Sequence, residues 1–182
     1  MENKNEKTAL LVMDVQPGII DRQENKEAYI SSVKKTISLA HKNNILVIFV
    51  VVGFRPKFPE ISINNKLFNA MKDTSTVSMI DSHPVIEPEE GDILVVKHRI
   101  SAFSGSDLGM ILHSQDIKHI VLAGISTSGV VLSTLREAAD KDFQITVLSD
   151  LCLDQDPEVH NVLMTKIFPR QAFVIDSKEW LV

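Results

Sequence analysis

The chain has 182 residues with ordinary apolar (44%) and charged (24%) shares, which suits one soluble domain with a substantial core. A formal net charge of −5 gives no electrostatic reason to expect nucleic acid or an anionic membrane as a partner. The single cysteine rules out an internal disulfide framework and suits a reducing compartment, so a cytoplasmic location is expected.

Met1 to Lys7 is a polar tail without a signal-peptide core behind it. Thr8 to Met13 is an apolar run ending at Asp14, as in a strand buried on both faces. Pro17 and Gly18 make the following segment a loop. From Lys26 to Asn43 the period becomes helical, with Ile30, Val33, Ile37, Leu39 and Ala40 marking the inner face. Ile45 to Val52 is eight apolar residues, a central parallel strand too short to span a bilayer.

Gly53 to Lys66 is a connection punctuated by Pro56 and Pro59, with a short helix expected over Leu67 to Lys72. Asp73 to Glu90 reads as irregular. Asp92 to Val96 is a strand running into Lys97, and Ser106 to Ser114 a helix. Lys118 to Ala123 is the next strand. Gly124 turns the backbone, and a helix begins near Ser126 to Ser128, whose hydroxyls can cap its free amides. Val131, Leu135 and Ala138 share one face of that helix. Gln144 to Leu148 is a strand ending at Asp150. Asp156 and Pro157 open a helix as N-cap and first helical residue, running through Val159, Leu163 and Ile167 to Pro169. Ala172 to Ile175 is the last strand. Strands alternate with helices, so the class is α/β with a mostly parallel sheet. Ligands bind beyond the carboxyl ends of such strands. Asp14, Lys97 and the Gly124 turn all stand at such ends.

Three motifs resemble one family. Gly124-Ile-Ser-Thr-Ser-Gly-Val-Val131 is similar to the nucleophile turn of the isochorismatase-like, or cysteine, hydrolases. Asp14-Val-Gln16 matches that family's Asp-x-Gln opening, and Lys97-His-Arg-Ile-Ser-Ala-Phe103 its Lys-x-x-x-Ser-Ala-Phe pattern. The resemblance spans about Thr8 to Ile175. It implies a three-layer, Rossmann-like α/β sandwich with a six-stranded sheet in order 3-2-1-4-5-6, a homodimer or higher homo-oligomer, and a cis peptide at Ile125-Ser126. It also implies catalytic roles for Asp14 and Lys97. The family's nucleophilic cysteine falls at Val130, which has no nucleophile. The Thr-Ser-Gly context resembles the N-carbamoylsarcosine amidohydrolase branch without its cysteine. True isochorismatases also lack the cysteine and use the aspartate as a proton donor.

Gln16, Arg55, Phe103, Ser126 and Gly129 are the candidate substrate-binding residues. Arg55 can bind a carboxylate in bidentate fashion or pair with Glu60 on the surface. The amides of Gly129 and Val130 are expected to face the substrate. Cys152 follows the fifth strand and reads as a buried, inert thiol. The six histidines show no pair at metal-ligand spacing, and Phe54 to Ile63, where zinc-containing nicotinamidases of the family carry ligands, has no histidine, so no metal is expected. Gly124 and Gly129 have phosphate-loop spacing, but Val130-Val131 replaces its Lys-Ser/Thr, and no G-x-G-x-x-G follows a strand. No cofactor is expected. The expected activity is hydrolysis of a small anionic metabolite by Asp14 and Lys97. The alternative is a small-molecule-binding protein that lacks catalysis, and a weaker third reading is a role carried by oligomer surfaces.

Overall fold

A computed structural model of the chain describes residues 7–73 and 82–181. The tail expected over Met1 to Lys7 and much of the irregular Asp73 to Glu90 segment lie outside the described residues. Six strands form one parallel sheet: β1 (Thr8–Met13), β2 (Leu46–Val52), β3 (Ile93–Lys97), β4 (His119–Ile125), β5 (Gln144–Leu153) and β6 (Phe173–Ile175). Their order is β3-β2-β1-β4-β5-β6. The helices are α1 (Lys26–Lys42), α2 (Lys66–Asp73), α3 (Leu108–Ser114), α4 (Leu132–Ala139) and α5 (Pro157–Val162).

The continuous apolar runs of β1, β2 and β4 follow from burial on both faces. Alternate residues of each strand enter two separate cores. Ala9, Leu11 and Met13 join Leu108, Leu112, Leu135 and Ala138 on the side of α3 and α4. Leu10 and Val12 join Tyr29, Val33, Ile37 and Ala40 on the side of α1. The result is three layers with helices on both faces of the sheet. The strand order reverses between β1 and β4, and the crevice beyond their carboxyl ends is the switch point where such sheets hold ligands.

β1 and β4 come unusually close at that end. Met13 lies opposite Gly124, where a Cβ would stand 2.3 Å from the Met13 carbonyl oxygen, so only glycine fits. This contact lets both strand ends open onto one point.

Several expectations shift. Leu39 is only partly buried, while Tyr29 and Thr36 complete the inner face of α1. Tyr29 donates its hydroxyl to the Leu151 carbonyl at 3.1 Å, an anchor that a purely apolar pattern misses. β5 continues five residues past Leu148 to Leu153, after a register shift against β4 between Leu122 and Gly124. The helix opened by Asp156 and Pro157 is regular only to Val162, then passes through a π turn (Leu163–Ile167) and a 3-10 turn (Phe168–Arg170). Asp156 caps it as its sequence suggests, accepting from the amides of Glu158 and Val159 at 2.9 and 3.2 Å.

The Ser-Ala-Phe segment after Lys97 is a fastening to α4. Ser101 and Ser104 donate to one oxygen of Glu137, at 2.6 and 3.1 Å, and the Ala102 amide donates to Thr134 Oγ1 at 2.9 Å. Phe103 stacks 5.9 Å from Phe143 in the core beneath α4. These bonds hold the end of β3, and so Lys97, against α4, the helix that follows β4.

Candidate active site

Asp14 is the first residue beyond β1. It takes a left-handed backbone conformation (φ 56°), which Asp tolerates better than branched residues, while its amide still donates to the Val50 carbonyl at 2.8 Å. The side chain therefore leaves the sheet plane at the switch point. Lys97 closes β3 opposite Val52, and its ammonium reaches Asp14 Oδ2 at 2.9 Å. Both side chains are buried, at 8% and 2% exposure. Lys97 Nζ also donates to the Arg99 carbonyl at 3.0 Å.

Asp14 Oδ1 is buried without a hydrogen-bond partner among the described residues. Burial pushes the Asp14 carboxyl above its usual range, against the opposing charge and hydrogen bond of Lys97. One oxygen is thus held by a cation, and the other is a site for a proton or for a substrate atom.

Around this pair lies a cavity of about 350 Å³, a size for small metabolites. Val52, Leu67, Phe68, Met71, Ile100, Ile125 and Val130 supply its apolar wall, while Arg22, Ser126, Ser128, Gly129 and Asp154 are among the polar groups. The Ile125-Ser126 peptide is cis, as the resemblance implies.

The turn after Ser126 departs from the expectation of capping by its own hydroxyls. Thr127–Val131 forms a π turn, in which the Val131 amide donates to the Ser126 carbonyl at 3.2 Å, and no side-chain cap is present. The cap comes from elsewhere. Asp154, just past β5, accepts from the Ser128 amide at 2.7 Å, and Thr127 Oγ1 pairs with His160 Nδ1 at 2.8 Å. Burial raises the Asp154 carboxyl, but hydrogen bonds from Ser128 and from the Asp156 and Gln155 amides outweigh it and hold the group below its usual range. Burial likewise lowers the His160 imidazole, against the attraction of Asp154. The Gly129 amide, expected to face the substrate, donates to the Ser126 carbonyl at 3.1 Å. A Cβ on Gly129 would stand 2.7 Å from Ser126 Oγ, so a side chain there would turn the Ser126 hydroxyl away.

Asp14, Lys97, Ser126, Gly129 and Val130 thus converge on one cavity, and the other candidates lie elsewhere. Gln16 is fully buried and bridges to β2: Val52 donates its amide to Oε1 at 2.7 Å, and Nε2 donates to the Val52 carbonyl at 3.1 Å. Arg55 is 70% exposed and ion-paired with Glu60, the surface pairing that its sequence position also allowed. Phe103 is in the core. Among the described residues no three His, Cys, Asp or Glu side chains gather as a metal-binding group. Arg22, the three α2 side chains and Asp154 were not singled out by sequence. The apolar Leu151-Cys-Leu153 run after Asp150 was the available signal that β5 continues to Leu153 and so delivers Asp154 just past its end.

Cys152 lies in the core, its thiol 3.8 Å from the Leu122 carbonyl, and burial pushes it up to about 12. It is expected to resist a thiol reagent such as Ellman's in the folded protein and to react fully in denaturant. Fast stoichiometric colour without denaturant would contradict this burial.

The isochorismatase domain model matches residues 8–179. The chain belongs to the isochorismatase family. Family members similar to it include the uncharacterized isochorismatase family protein YwoC of Bacillus subtilis, 30% identical over 97% of this chain and 93% of that protein. The probable inactive nicotinamidase At3g16190 of Arabidopsis thaliana is 28% identical over 87% of this chain and 88% of its own length. Among solved structures, N-carbamoylsarcosine amidase from Thermoplasma acidophilum matches 97% of this chain and 99% of its own, at 28% identity and a TM-score of 0.74. Among the described residues no helix is long and apolar enough to cross a membrane.

Proposed function

We propose that this member of the family hydrolyses a small anionic metabolite, with Asp14 as the proton donor and Lys97 as its electrostatic partner. The observation that carries the reading is the unpartnered Oδ1 of buried Asp14, beside Lys97 in a cavity. Burial favours the protonated carboxyl and Lys97 fixes the other oxygen, so Oδ1 is the oxygen that carries the proton when the carboxyl is protonated. That oxygen donates its proton to the leaving atom as its bond to carbon breaks. The oxygen of water bonds to that carbon, and a water proton returns to Asp14. Val130 offers no nucleophile, so no covalent intermediate forms. Lys97 and Arg22 in the lining favour a negatively charged substrate. Similarity to N-carbamoylsarcosine amidase supports an amide or N-carbamoyl group at the scissile position.

A second reading, a binding protein without catalysis, is favoured by Val130 at the nucleophile position and by the likeness to the Arabidopsis relative. The test is hydrolysis of a panel of amides, N-carbamoyl compounds and vinyl ethers by wild type, Asp14→Asn and Cys152→Ala. Turnover lost with Asp14 and kept without Cys152 supports acid–base hydrolysis. Tight binding with no turnover of any compound supports the second reading.

The proton's position also sets a pH dependence. A donor acts while protonated, so kcat/KM is expected to be flat at low pH and to fall as pH rises through the raised Asp14 value. Lys97 pulls that value down. Lys97→Met therefore moves the falling limb to higher pH, besides lowering kcat. Activity that rises with pH through this range would make Asp14 a base instead, and a falling limb that moves to lower pH would belong to a group other than Asp14.

A further inference from the structure

One charge in the cavity has no use in the acid–base pair. Arg22 ends a 3-10 turn, Ile20–Arg22, in the loop between β1 and α1, and lines the same cavity as Asp14 and Lys97. Its guanidinium makes no hydrogen bond or ion pair among the described residues. Every other charge of the lining is engaged. Lys97 is held by Asp14 and the Arg99 carbonyl, and Asp154 by the amides of Ser128 and Asp156. The nearest acid in sequence, Asp21, is taken by Lys26 at 2.8 Å and by the Gly18 amide at 3.1 Å. Arg55, the other loop arginine considered, is neutralised by Glu60.

We propose that Arg22 is the specificity-determining residue of this site, binding a carboxylate at the cavity mouth while the scissile group points inward to Asp14. The inference rests on the hydrolase reading above and narrows its substrate to small carboxylate-bearing amides or N-carbamoyl compounds. The guanidinium fork suits a carboxylate, which it can grip with two parallel hydrogen bonds. Arg22 is exposed at the mouth, and Leu67, Phe68 and Met71 of α2 line the same cavity with apolar surface.

The test pairs maleamate, succinamate and N-carbamoylglycine, each against its uncharged amide counterpart. Calorimetric binding and steady-state turnover are measured with wild type, Arg22→Ala and Arg22→Lys. Wild type is expected to prefer the carboxylate member of a pair. Arg22→Ala should weaken binding of that member and raise its KM by about 10–100-fold, the scale of a hydrogen-bonded charge, with kcat little moved. The uncharged member should be unaffected, and Arg22→Lys should restore part of the loss. No charge preference in wild type, or an equal loss for both members in Arg22→Ala, overturns the assignment. The two readings separate cleanly. A carboxylate preference that vanishes with Arg22→Ala in a protein turning over neither member upholds Arg22 and removes the hydrolase reading. Turnover without charge preference upholds hydrolysis and removes Arg22.

Discussion

Asp14→Asn is expected to lower kcat on any turned-over compound by roughly 10²–10⁴-fold, the range for loss of a positioned general acid. Asn keeps an oxygen for the Lys97 ammonium but cannot lend a proton from Oδ1. The change also replaces the partner of a lysine whose side chain is only 2% exposed, so the variant should unfold at lower denaturant than wild type. Activity must therefore be scored on folded protein, by circular dichroism and a urea midpoint on the same sample. Calorimetric binding of a turned-over compound by the folded variant separates lost chemistry from lost structure. Binding retained with turnover gone is the expected result. A folded Asp14→Asn variant with wild-type kcat would remove Asp14 from the chemistry.

Val130→Cys is the second large effect, and it is a gain. Val130 is buried, lines the cavity and begins its inner wall at the π turn. Cysteine is smaller than valine, so the introduced thiol fits without overpacking and should cost about 1 kcal/mol of stability, as for loss of one methyl. Its sulfur shares the cavity with Asp14, which in ionised form can accept the thiol proton. The sulfur would then bond to an amide carbon, and nitrogen would leave as ammonia with its proton. Water would next cleave the thioester to an acid and the free thiol. The expected signs are a burst of ammonia release and inactivation by iodoacetamide, with the label found at position 130 and absent from Cys152. The Cys152 thiol, raised to about 12 in the core, provides the internal control. A Val130→Cys protein that folds, alkylates at position 130 and shows no burst on any amide would mean that this cavity does not present a carbonyl to the turn.

Much of this architecture is legible along the chain. Strand burial on both faces requires unbroken apolar runs, and Thr8 to Met13, Leu46 to Val52 and His119 to Ile125 carry them. A polar residue that ends such a run marks a strand tip, which is why Asp14 and Lys97 could be named before their distance was known. Local backbone chemistry was equally readable at the Asp156-Pro157 helix start, because a helix N-terminus demands particular residue types, whereas Gly124, read as a turn, stays within β4 and serves the close approach to Met13.

Other features have no periodic signal, because they depend on which distant groups meet. Arg22 and Arg55 are both loop arginines just beyond strands. Glu60 captures one, while Lys26 occupies the acid beside the other, and only the folded loops decide which guanidinium remains for a ligand. The hydroxyls at 126 to 128 are a fair capping signal, yet Asp154 and His160 arrive from 26 and 33 residues away and take the Ser128 amide and the Thr127 hydroxyl instead. Gln16 and Phe103 sit inside catalytic-looking motifs, but the sheet uses Gln16 to join β1 to β2, and α4 covers Phe103. Residue types and strand ends therefore determined where the acid and its cation stand. Long-range pairing, which no local pattern encodes, decided that they touch, what walls surround them and which charge is left over for the substrate.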